Sequence, residues 1–73
     1  MKKEYLGEAG GIPGLVRVTI NNIGLPLKVE IDDLVFKETD KELISDLFVA
    51  AMNDAYAKLD KDYQEALVNS IQG

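Results

Sequence analysis

Thr39–Gln72, TDKELISDLFVAAMNDAYAKLDKDYQEALVNSIQ, decides the fold. It contains neither proline nor glycine. It opens on Thr39-Asp40-Lys41-Glu42, the pattern of a capping box in which Thr39 accepts from the Glu42 backbone N–H and the Glu42 side chain reaches back to the Thr39 amide. Apolar residues then recur in steps of three and four: Ile44, Leu47, Phe48, Ala51, Ala55 and Leu59. A second stripe overlaps the first and continues it through Met52, Tyr56, Leu59, Tyr63, Leu67 and Ile71. This periodicity predicts one amphipathic helix over residues 40–72 or so. Some 30 residues of helix span about 45 Å, whereas a compact domain of this size has a radius of gyration of only about 11 Å. The helix therefore outreaches its own domain and still carries Tyr63, Leu67 and Ile71 beyond it. Uncovered apolar surface of that kind calls for a partner, and the simplest is a second copy of the chain. Tyr56, Leu59, Tyr63, Leu67 and Ile71 are the expected dimer interface. A helix break near Asp60-Lys61-Asp62, folding the last turns back, is the alternative.

Working outward from the helix, Leu15–Asn21 alternates as a strand, with Val16, Val18 and Ile20 on one face and Arg17 and Thr19 on the other. Asn21-Asn22-Ile23-Gly24 supplies turn chemistry. Pro26 opens a second strand, in which Leu27, Val29 and Ile31 share a face and Lys28, Glu30 and Asp32 take the other. The two make an antiparallel hairpin. With Val18 opposite Val29, Arg17 meets Glu30 and Thr19 meets Lys28, so opposite charges pair across the polar face. The apolar face of this hairpin needs a cover, and the first half of the helix is the expected one. Leu34 and Phe36 are expected to pin the connection between sheet and helix against the core.

Further upstream, residues 3–8 form a weaker strand around Tyr5 and Leu6. The stretch from Gly7 to Gly14 holds four glycines and a proline. Its spacing matches neither phosphate-binding glycine pattern, so it reads as a hairpin connection. The predicted fold is thus α+β, a single domain over 1–73: a small antiparallel three-stranded sheet (strands about 3–8, 15–21 and 26–32) followed by one long C-terminal helix, homodimeric.

Seventy-three residues make a thin core, and the chain has no cysteine and no histidine. Disulfides and thiolate sites are excluded, and so are the commonest general base and metal ligand. No Ser, Tyr or Lys is placed by the sequence beside an activating base, and the carboxylate pairs Asp32/Asp33 and Asp60/Asp62 lie in polar surroundings. Asp60 and Asp62 lack the glycine of a calcium loop. The expectation is a non-enzyme without cofactor or metal. No apolar run approaches membrane-spanning length and no signal-peptide pattern follows Met1-Lys2-Lys3, so cytoplasm is the expected compartment. The formal net charge is −5. Residues 1–37 carry five basic and five acidic residues, and residues 38–73 carry three basic and eight acidic, so the excess sits on the helix. A basic surface that coats nucleic acid is absent, which leaves local patches. Arg17 and Lys28 project from the polar sheet face, and Lys58 and Lys61 lie one turn apart on the helix. A two-fold dimer doubles each pair. These four are the candidate DNA contacts. No aromatic residues interleave with them as stacking platforms for single strands would require, which favours duplex.

Several segments together resemble a known family. Gly7-Glu8-Ala9-Gly10-Gly11, Gly14-Leu15-Val16-Arg17-Val18-Thr19-Ile20-Asn21, Val29-Glu30-Ile31-Asp32, Asp46-Leu47 and Ala50-Ala51-Met52-Asn53-Asp54-Ala55 follow one another as in the YbaB/EbfC family of bacterial nucleoid-associated proteins. The likeness runs from Tyr5 to about Leu59. It implies a cytoplasmic, nucleoid-associated homodimer that binds double-stranded DNA, and an α-β-β-β-α order with long helices projecting as arms. That order begins with a charged helix, whereas here Met1-Lys2-Lys3 leads directly into the first strand. The matching positions are turn and core residues, so the resemblance assigns no DNA-contacting side chain. A protein-interaction or dimerisation module without nucleic-acid contact is the competing expectation, favoured by the acidic helix.

Overall fold

The computed structural model describes residues 3–72; the Met1-Lys2 lead-in lies outside them. Three strands, β1 (Glu4–Ala9), β2 (Val16–Asn21) and β3 (Pro26–Ile31), form an antiparallel sheet in the order β1-β2-β3. A 3₁₀ turn (Asp33–Lys37) leads to one helix, α1 (Lys41–Gln72). The helix runs unbroken through Asp60-Lys61-Asp62, so the chain does not fold back there. The molecule measures 52 × 19 × 19 Å with a radius of gyration of 14.5 Å, well above the compact value, because α1 projects beyond the sheet.

The β2–β3 register pairs Arg17 with Glu30, Val18 with Val29 and Thr19 with Lys28, as the alternation predicted. A bulge at the turn end, between Thr19 and Ile20, leaves Leu27 as the extra residue. Asn21 shapes the turn: its side-chain oxygen accepts from the amides of Ile23 and Leu25. Val16, Val18 and Ile20 on β2 and Ala51 and Ala55 on α1 form the buried centre, with Val35 closing one end.

Three sequence expectations are corrected. The helix cap is Asp40, not Thr39. The Asp40 carboxylate accepts from the amides of Glu42 (3.0 Å) and Leu43 (3.3 Å), and a charged acceptor at that position serves two orphan donors at once. The Glu38 carboxylate meanwhile takes the amides of Thr39 and Asp40. The connection is pinned by Val35, which is buried, whereas Leu34 is exposed and Phe36 is 73% exposed. The Asp32 side chain accepts from Leu34 N–H and starts a 3₁₀ turn, whose tight pitch points one of the three apolar side chains inward.

The third correction concerns what α1 covers. It lies over β1 and β2, chiefly β1, and leaves β3 almost untouched. Gly7 is the reason. A Cβ there would stand 2.0 Å from the Ala51 carbonyl oxygen and 2.4 Å from the Ala55 nitrogen. Glycine on the strand and alanines on the helix let the two backbones meet closely, and no such pairing exists on β3.

Candidate nucleic-acid interface

The helix is joined to the outer edge of β1 by its own side chains. Asp54 accepts from the Glu8 backbone N–H at 2.9 Å, and Lys58 donates to the Leu6 carbonyl at 2.6 Å. Residues i and i+4 on α1 thus satisfy a donor and an acceptor two residues apart on the strand. Asp54 and Lys58 also pair with each other at 3.3 Å. The Glu8 N–H, and after it Lys58, hold the Asp54 carboxyl below its ordinary value. One turn further on, Asp62 accepts from Tyr5 Oη at 2.8 Å and pairs with Lys3. These bonds, Lys3 first, lower the Asp62 pKa. Its carboxylate in turn raises that of Lys3, while burial and then Asp62 raise that of Tyr5.

This arrangement defines what the four expected DNA-contacting cations do within one subunit. Arg17 and Lys28 flank a single carboxylate, Glu30, at 3.4 and 3.8 Å. The sheet face they share also carries Glu4 and Glu8, so it is not basic. Lys58 is engaged in docking the helix. Lys61 has no ion pair within 4.0 Å among the described residues, and neither have Lys37 and Lys41 at the entry to α1. The structure therefore gathers the four into two separate patches, and of the four Lys61 alone has no ion pair within 4.0 Å among the described residues, although its charge still acts on neighbouring Asp62. Sequence reasoning passed over Lys37 and Lys41 because one ends the short solvated connection and the other opens the first turn of the helix, where a lone charge carries no periodic signal.

The expected dimer residues divide similarly. Leu59 packs against its own core, and Tyr56 Oη donates to the Gly24 carbonyl at 3.1 Å. Tyr63, Leu67 and Ile71 are exposed, Ile71 by 84%. Shallow hollows beside the stripe are lined by Asn22, Ile23, Tyr56, Leu59 and Tyr63 on one side and by Lys3, Tyr5, Asp62 and Ala66 on the other. Among the described residues no cluster of side chains is arranged to hold a metal, and no helix is long and apolar enough to cross a membrane.

Comparison with known proteins places these observations in a family. The sequence model described as the YbaB/EbfC DNA-binding family matches residues 1–73. Nucleoid-associated proteins of Rickettsia akari and Rickettsia africae are each 41% identical over 69 residues, covering 94% of this chain and 63% of each relative. The chain thus spans less than two thirds of their length. The crystal structure of an uncharacterised protein from Helicobacter pylori superposes with a TM-score of 0.76 at 25% identity, covering 93% of this chain and 76% of that one.

Proposed function

The chain belongs to the YbaB/EbfC DNA-binding family, and from that membership we propose that it acts as a nucleoid-associated homodimer in the cytoplasm, gripping double-stranded DNA mostly through the phosphate backbone in an architectural or regulatory role. The observation that supports this most is the family match over residues 1–73 together with a helix that projects clear of its sheet. Lys61 on that helix is the contact of first choice. Arg17, Lys28 and Lys58 contribute to the extent that DNA displaces their carboxylate partners. Backbone contact of this kind is sequence-tolerant and steeply salt-dependent. The family is described by nucleic-acid binding and not by a reaction, and the absence of histidine and cysteine accords with a binding role.

The homodimer is proposed on uncovered apolar surface. Two such surfaces stand open in one subunit: the helix stripe of Tyr56, Tyr63, Leu67 and Ile71, and the β3 flank at Leu27 and Val29. One observation favours the second reading, a dimerisation module without DNA contact: three of the four candidate cations are ion-paired within the subunit, two of them to the one carboxylate of Glu30. Fluorescence anisotropy with a labelled duplex, at low and at physiological salt, separates the two. DNA binding requires a saturable rise at low salt that weakens log-linearly with salt; a flat titration at low salt leaves the dimerisation module.

A further inference from the structure

Bonding alternates along an antiparallel strand. Gly7 stands opposite Val18 of β2 and turns its N–H and C=O inward, so Leu6 and Glu8 on either side turn theirs outward. The helix meets them there. Asp54 accepts from the Glu8 N–H at 2.9 Å, and Lys58 donates to the Leu6 carbonyl at 2.6 Å. The two periods match. Four residues of helix advance about 6.0 Å and two of strand about 6.6 Å, so one row of helix side chains keeps step with the outward residues of β1. The row runs on to Asp62, which reaches Tyr5 and Lys3. Close seating of the backbones at Gly7 brings these side chains within reach of the strand.

We infer that Asp54 and Lys58 stand in for a fourth strand and guard the edge of β1, keeping it from pairing with extended segments of other chains, the β1 of another copy included. A bare strand edge is a template for such pairing, and Leu6, 41% exposed beside it, adds apolar contact. An incoming antiparallel strand binds by exchanging both backbone groups of one residue. Glu8 has its donor engaged and Leu6 its acceptor, so neither residue has both groups to exchange. The newcomer would also have to displace a carboxylate and an ammonium that pair with each other at 3.3 Å, and leave them without those backbone partners. The guard limits association beyond whatever species the wild type forms, and so does not depend on the homodimer reading or on DNA binding.

An edge guard and a contact that merely stabilises the fold give different results in sedimentation. Asp54→Ala with Lys58→Ala, while it keeps its helical circular dichroism, is expected to form species that grow with protein concentration beyond those of the wild type. Asp54→Asn with Lys58→Arg keeps an acceptor for Glu8 and a donor for Leu6, and is expected to match the wild type. Asp40→Ala, weakened at the helix cap and not at the edge, is expected to match it too. Adding Leu6→Pro to the double-alanine variant removes an outward N–H, a change that an edge strand tolerates, and is expected to abolish the growth. A folded double-alanine variant that sediments like the wild type at high concentration overturns the guard, and so does growth that persists with Leu6→Pro or appears equally in Asp40→Ala. Should the double-alanine variant lose its helix, Lys58→Ala alone, which bares the Leu6 carbonyl and leaves Asp54 on Glu8, decides: growth with concentration that Leu6→Pro removes supports the guard, and wild-type sedimentation overturns it.

Discussion

Gly7→Ala is the most demanding test of how this fold is held together. The added methyl carbon lands 2.0 Å from the Ala51 oxygen, 2.4 Å from the Ala55 nitrogen and 2.8 Å from the Ala55 Cβ. Two of the three are backbone atoms of a regular helix and have no rotamer to move into. Relief comes only if α1 retreats from β1 by roughly 1 Å or more, since ordinary carbon contacts begin at about 3.4 Å. That retreat stretches the Glu8–Asp54 and Leu6–Lys58 bonds, now 2.9 and 2.6 Å, and opens a gap over Val18. Overpacking costs about 1–3 kcal/mol and each weakened bond about 1 kcal/mol, so the loss is about 3–5 kcal/mol. A domain of this length has about 4–11 kcal/mol in total. Urea unfolding followed by far-ultraviolet circular dichroism, at one fixed protein concentration, is the assay. With a slope near 1.5 kcal/mol/M the midpoint is expected to fall by about 2 M or more. Gly11→Ala is the control: its φ is +105° but the nearest atom to an added Cβ is 3.9 Å away, so only backbone strain of about 1–2 kcal/mol applies. If Gly7→Ala costs no more than Gly11→Ala, close backbone contact is not what seats the helix on β1.

Asp40→Ala is expected to cost about 1 kcal/mol in the same assay, and Thr39→Ala close to nothing, because the cap belongs to Asp40. Asp54 and Asp62 have pKa values lowered from 3.8, so the folded state binds fewer protons than the unfolded one there. Their stabilisation is fully present above that ordinary value and is lost as pH falls through the lower folded values; an acid titration of Asp54→Asn is expected to show a shallower loss than wild type. Lys3 and Tyr5 are raised from 10.5 and 10.0, so their contribution is present below those values and fades as pH rises through the folded ones. Loss of the Tyr5–Asp62 contact by NMR in that alkaline range checks it. Lys61→Glu is expected to weaken duplex binding about equally for unrelated sequences without shifting the urea midpoint, whereas Lys58→Ala is expected to lower the midpoint by about 1 kcal/mol in free-energy terms.

Much of the architecture is legible in the sequence by itself. Strict alternation on both sides of the Asn21–Gly24 turn determined which faces of β2 and β3 meet, because a slip of one residue turns every apolar side chain to the wrong face, and the register taken from it, with Val18 opposite Val29 and Arg17 opposite Glu30, is the one observed. Steps of three and four determined the long helix. The segments flanking Gly7, Gly14 and Ala51 were enough for the family resemblance. The tertiary structure alone decided which strand the helix covers, which residue pins the connection, and that Lys58 serves the fold. Periodicity and turn chemistry report relations within an element or across a tight turn. The bonds from Glu8 to Asp54 and from Leu6 to Lys58 join residues 46 and 52 positions apart. Whether a lysine on a helix meets a strand carbonyl or a phosphate depends on how closely two backbones approach, and that distance is set by a glycine and two alanines that meet only in the folded chain.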